Sequence, residues 1–260
     1  MKWNDIAADF AQAWSLVLDW KLPEWFRKQT EHAGSAGLIL PMIPLAGLPA
    51  VMALLIVYGA IAPWVTHFGS ALLFAAGALL LLESKDSGRG IGLLTSVLVL
   101  KISGRNTKES LPYLQPLNYN NLPGGIGPVL LGALLFFKFS ALFYLAWVGH
   151  PGYLAAILLL GLTVQGALLQ LDDLDRGVPW LTTEPGMDKL LWAAGIFPVL
   201  FLLPAMAAAT VAAVGIAFLT AFLAGRSFQD NPGGATSEMI TLTGAASEIL
   251  LCLTGILLVK

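Results

Sequence analysis

Long apolar runs separated by short polar stretches dominate the chain. Leu38 to Val65 holds 28 residues without a charge, more than the roughly 20 that one helical bilayer crossing needs. Pro41, Pro44 and Pro49 fall in it near the expected helix start, where proline is tolerated. Gly69 to Leu82 is a second run of 14 residues, extended at the membrane interface by Trp64, His67 and Phe68. Ile126 to Val148, Gly152 to Leu171 and Leu190 to Ala224 follow. The last of these, 35 residues long, accommodates a tight hairpin with Pro204 as its break. A final span runs from about Met239 to Val259, giving seven expected crossings.

The segments between the runs carry their own expectations. Ile91 to Leu100, ten residues flanked by Arg89 and Lys101, is too short to cross about 30 Å of hydrocarbon and reads as a re-entrant or interfacial piece. Ser103 to Gly125 is polar and rich in Asn, Pro and Gly, which suits an ordered loop. The first twenty residues place Asp5, Asp9 and Asp19 among apolar and aromatic side chains. They predict an amphipathic interfacial helix rather than a signal peptide, whose apolar core acids would not interrupt.

Composition narrows the class. The chain is 57% apolar and 12% charged, against roughly 45–50% and about 25% in a soluble domain. A formal charge of −2 offers no basic field for nucleic acid, and a single cysteine cannot pair internally. The expectation is one all-α, polytopic membrane bundle over residues 1–260, in a lipid bilayer, with about seven transmembrane helices plus the N-terminal amphipathic helix. Charge placement agrees with the hairpin. With it, twelve of fourteen basic residues fall on one side, leaving Lys260 opposite and Lys138 inside a span, and that basic side is expected to be cytoplasmic.

Intramembrane charges are costly and therefore candidate sites. Lys138 lies in the middle of LLFFKFSALF, and Glu248 lies about ten residues into the final span. Lys138 reads equally as a snorkelling side chain, or one half of a bundle-orienting salt bridge, with Glu248 the partner to test. Acids cluster at the basic side: Glu83 and Asp86, then Asp172, Asp173 and Asp175, then Asp230 and Glu238. Such carboxylates hold Mg²⁺ in phosphoryl-transfer sites, but acidic loops are more often solvated edges. Gly88, Gly90 and Gly92 read either as a phosphate cradle or as a flexible turn. Three scattered histidines predict no zinc site, and Cys252 reads as packing.

The order of these features resembles the cobalamin synthase family, membrane enzymes also called adenosylcobinamide-GDP ribazoletransferases. AWSLVLDWKLPEWF followed by AGLILPMIPLAGLPA is similar to that family's opening helix, its Arg-Leu-Pro turn (here Lys21, Leu22 and Pro23) and its first span. GGIGPVLLGALLFFKFSALF resembles the segment after the family's Met-Arg-Asp-Ser-Arg motif, with Gly127 and Lys138 at the matching spacing. GGATSEMITLTGAASEILLCL resembles its Gly-Gly-x-Thr-Gly-Asp signature. Gly233, Gly234 and Thr236 match directly, Glu238 stands for the aspartate, Glu248 matches a downstream glutamate, and Ala245 replaces another.

The chain departs from the family at its Asp-Gly-Leu-Ala-Asp-x-x-Asp-Gly motif. Counting from Pro41 puts Asp86, Gly90 and Leu93 at the three acids, and counting back from Gly127 puts Ser96, Leu100 and Ser103 there. The triple acid is absent in both registers. Asn120 falls at the aspartate of the Met-Arg-Asp motif. The resemblance implies a phosphotransferase of the bacterial inner membrane, acting at the cytoplasmic face, that joins adenosylcobinamide-GDP to α-ribazole or its phosphate and releases GMP. Its partners are then the corrinoid nucleotide and α-ribazole. It implies Mg²⁺ held by Asp86, Asn120 and Glu238, supported by Glu248, with Lys138 setting local charge. The alternative it leaves open is a catalytically degenerate homologue serving as a membrane scaffold or corrinoid-binding component.

Overall fold

The computed structural model describes residues 3–21, 24, 38–104, 125–169, 186–203, 206–229 and 236–259. Helices account for nearly all of them: α1 (Trp3–Val17), α2 (Ile39–Ile61), α3 (His67–Ser84), α4 (Arg89–Ile102), α5 (Ile126–Trp147), α6 (Leu154–Leu169), α7 (Met187–Leu202), α8 (Ala207–Gln229) and α9 (Ser237–Leu258). The described part is all-α, as the apolar runs require, since a helix satisfies its backbone polar groups internally where lipid offers no partners.

Six helical segments among the described residues are long and apolar enough to cross a bilayer: Ile39–Trp64, His67–Ser84, Ile126–Trp147, Pro151–Leu169, Ala207–Phe228 and Ser237–Leu258. The protein is a multi-pass membrane bundle. The expected hairpin over Leu190–Ala224 forms as α7 and α8, which separate around Leu203 and Met206, while Pro204 lies outside the described residues. The difference from seven lies in α7, whose 16 described helical residues are fewer than those of any of these six segments. The segment around Ile91–Leu100 is the helix α4, which packs against α5 and α9 and buries Ile91, Leu93, Ser96 and Val99. The expected loop over Ser103–Gly125 lies almost wholly outside the described residues.

Helix α6 forms the axis. Its sequence is apolar all round and contacts α2, α7, α8 and α9, so fourteen of its residues are buried, against a helix with one apolar stripe that would bury one face. The outer helices instead turn large apolar side chains outward, among them Ile56, Phe136, Phe201 and Phe218. An apolar exterior over a packed interior is what a bilayer solvent selects.

Helix α1 is amphipathic in a less simple way than expected, because its packed face holds the buried Asp9 among Ala7, Ala8, Ala11 and Ala13. Asp9 Oδ2 accepts the Leu38 amide at 3.1 Å, directly before α2. A negative group there answers both the orphan N–H groups and the positive end of the helix dipole.

Candidate functional site

Charged side chains converge where α3 turns into α4. The chain reverses through residues 85–88, with Ser87 and Gly88 at φ values of 54° and 72°. Asp86 stabilises the turn, as its Oδ1 accepts the Gly88 amide at 3.1 Å and its Oδ2 the Gly90 amide at 3.2 Å. These amides open α4, so the carboxylate fills the role an N-cap anion would. A Cβ at Gly90 would stand 2.6 Å from Asp86 Oδ2 and 3.0 Å from the Ala245 Cβ, which explains the glycine. The glycine-rich run is therefore a turn whose anion comes from the chain.

Below the turn the bundle encloses a chain of ion pairs. Lys138, from the middle of α5, donates to Glu83 near the end of α3 and, at 2.9 Å, to Glu248 Oε2 in α9. Lys85 Nζ lies 3.0 Å from the other Glu248 oxygen and 3.4 Å from Asp86 Oδ2. Both lysines and Glu248 are 2% exposed at the side chain, whereas Glu83 is 18% and Asp86 14% exposed. The series Glu83, Lys138, Glu248, Lys85, Asp86 thus has its middle sealed and its acidic ends partly open. Gly161 of α6 leaves the room, since a Cβ there would meet Glu248 Cγ at 3.3 Å.

Electrostatics at the turn follow from this arrangement. Burial alone would push the Lys85 ammonium toward neutrality, but Glu248 and then Asp86 outweigh it and hold its pKa above the ordinary lysine value of 10.5. Burial raises the Asp86 pKa, and Lys85 offsets only part of that.

A cavity of about 130 Å³ opens beside Lys85 at this end of the bundle. Asp19, Lys85, Asp86, Arg89, Gln165, Ser237 and Thr241 supply its polar lining, with Leu16, Val17, Leu169 and Ile240 as apolar walls. The segment after α1 forms one wall and is clasped to the turn: the Asp19 amide donates to the Lys85 carbonyl at 2.6 Å, and Trp20 Nε1 to Ser84 Oγ at 3.0 Å. Arg89 Nη2 lies 3.9 Å from Glu238 Oε1, a half-exposed pair at the mouth.

The sequence-expected residues thus divide. Lys138 and Glu248 meet, as the pairing of intramembrane charges required. Asp86 joins the same network, and Glu238 stands at the cavity mouth against Arg89. Asn120 lies outside the described residues, as do Asp172, Asp173, Asp175, Asp230, Gly233 and Gly234. Sequence reading gave Lys85 no role beyond one more basic residue on its side. Its signal was its place between Glu83 and Asp86, three residues past the end of the apolar run at Leu82.

The Mg²⁺ that the resemblance implies does not fit the described residues. Asp86 is committed to two amides and Lys85, Glu248 to two lysines, and Glu238 to Arg89 and the Ser237 hydroxyl. Among the described residues no three His, Cys, Asp or Glu side chains come together as a metal site. Neither family models, nor characterised proteins, nor solved structures match the chain, so no comparison identifies it with the cobalamin synthases or another family.

Proposed function

We propose that the chain is a membrane component related in design to the cobalamin synthases, which binds the phosphate-bearing end of a corrinoid nucleotide at the cytoplasmic face. The observation that carries this reading is the cavity at the α3–α4 turn. Half-exposed Arg89 provides the accessible cation, with Lys85 behind it in its ion pairs. Gln165, Ser237 and Thr241 provide neutral hydrogen-bonding groups, the carboxylates of Asp19 and Asp86 line the remainder, and apolar walls lead back to the amphipathic helix. At about 130 Å³ the cavity takes a phosphate and little more, so the corrin body stays at the membrane surface. The acids that would hold a metal in a synthase are already compensated by lysine and arginine, which favours binding over phosphoryl transfer. Titration of the purified protein with adenosylcobinamide-GDP, read by quenching of tryptophan emission, tests it. Saturable binding that Arg89→Ala weakens supports the reading, and no binding removes it.

A second reading, the transferase itself, draws on the same two cations. Arg89 and Lys85 beside one cavity supply some of the positive charge that a leaving nucleotide needs. Protein given both substrates, with and without Mg²⁺, decides between them. GMP release with a cobalamin product establishes the transferase, and binding without product leaves the component.

A further inference from the structure

The buried cluster holds three carboxylates, from Glu83, Asp86 and Glu248, and two ammonium groups, from Lys85 and Lys138. Each lysine bridges two acids that come from different parts of the fold. This is the arrangement in which a hard cation is found between carboxylates, except that the cation is covalently part of the chain. Lys85 is the clearer case. Its ammonium sits between Glu248 Oε1 at 3.0 Å and Asp86 Oδ2 at 3.4 Å. Glu248 Oε1 is buried and accepts no directed hydrogen bond, so Lys85 meets it as a point charge.

We propose that Lys85 is a tethered cation standing where a divalent ion would otherwise bridge Asp86 and Glu248. The chain then holds its acids together without metal, and removing that one ammonium converts the gap into a divalent-cation site. This goes beyond the ligand reading above, because it concerns the ion cluster and requires no corrinoid.

Charge decides the direction. With both lysines the cluster is formally −1, and a divalent ion would overcharge it. Without Lys85 it is −2, which a divalent ion neutralises, while Lys138 continues to hold Glu83 and the second oxygen of Glu248. Without Lys85, Asp86 and the Oε1 of Glu248 lose the cation they share, which is unfavourable for buried carboxylates, so an ion is drawn in. The gap is sized for an ammonium with oxygens at 3.0 and 3.4 Å, wider than the roughly 2.0–2.1 Å of Mg²⁺–oxygen bonds. It suits a larger ion of flexible geometry, such as Ca²⁺ or a lanthanide, with water completing the shell.

The fold provides its own reporter, because Trp20 bonds to Ser84, the residue next to Lys85. Its indole is placed to sensitise Tb³⁺ bound at the gap. Full-length protein in detergent, as wild type, Lys85→Met and Lys85→Gln, is titrated with Tb³⁺ and then with Ca²⁺ as competitor. Both variants should show saturable, Ca²⁺-displaceable emission at about tenfold or more lower Tb³⁺ concentration than wild type. Ca²⁺ should raise their thermal midpoints and leave that of wild type unchanged. Adding Asp86→Asn to Lys85→Met should abolish the gain. Equal binding by wild type, no gain in either variant, or a gain that survives Asp86→Asn each overturns the proposal. So does failure of both variants to fold when Ca²⁺ is supplied, because the ion should replace the lost ammonium.

Discussion

Helices α3 and α5 are held together at two ends by opposite chemistries. At the start of α3, His67 Nε2 and the Trp147 carbonyl are 2.8 Å apart and the two rings lie 4.6 Å between centroids. Phe68 and Phe143 pack beside them, Phe143 stacking on Trp147 at 6.0 Å. This end is exposed and aromatic, as the Trp-rich belt of a membrane interface is. At the other end of α3 the same two helices are joined by Glu83 and Lys138, with Glu248 brought in from α9. Aromatic packing tolerates loss of a member, because each contact is a modest increment and water fills the gap. The buried charges do not, because each group left unpaired retains its whole desolvation cost. The two ends should therefore respond very differently to comparable substitutions.

Glu248→Ala should have the largest effect. It removes the carboxylate that both buried ammonium groups share, leaving Lys138 only Glu83 and Lys85 only Asp86, and a loss of about 3–5 kcal/mol is expected, read as a collapse of thermal stability and yield in detergent. An effect no larger than that of an aromatic substitution at the far end would break the contrast.

Alkaline pH should come next. The pKa of Lys85 in the folded protein lies above its ordinary 10.5, so its stabilisation is fully present below that value. It is lost as pH rises through the folded-state pKa. Thermal midpoints should fall above about pH 10.5 more steeply in wild type than in Lys85→Met, which lacks the titrating group. Identical profiles would mean that Lys85 is not held by its acids.

Smaller losses are expected at the aromatic end. His67→Ala removes a ring contact and one hydrogen bond and should cost about 1 kcal/mol, with the fold retained. Least should follow from Arg89→Ala, whose half-exposed pair with Glu238 is worth a few tenths of a kcal/mol to about 1 and should fade with added salt. Salt should leave the Glu248 effect unchanged, since no screening ions reach a sealed pair.

These contrasts also show what could be read from the chain. The spans, the hairpin break near Pro204 and the pairing of Lys138 with Glu248 followed from local rules. Apolar length sets crossings, proline interrupts helices, and an intramembrane charge requires a counter-charge. The short α4 was legible as too short to cross, but its packing on α5 and α9 was not. The acids at the basic side looked like candidate metal ligands because carboxylate spacing carries no record of what neutralises it. In the fold Asp86 serves the backbone of its own turn, and Glu238 faces Arg89.

By itself the sequence determined that this protein lives in a membrane, where most of its long helices lie and where charge must be compensated. Hydropathy and helix geometry act over neighbouring residues, and so they are written locally. Only the tertiary structure decided which compensation is used. Lys85 and Lys138 are 53 residues apart in number and reach the same Glu248 from the α3–α4 turn and from α5. Coulomb attraction depends on distance in space, and burial fixes how strongly it acts, neither of which the order of residues records.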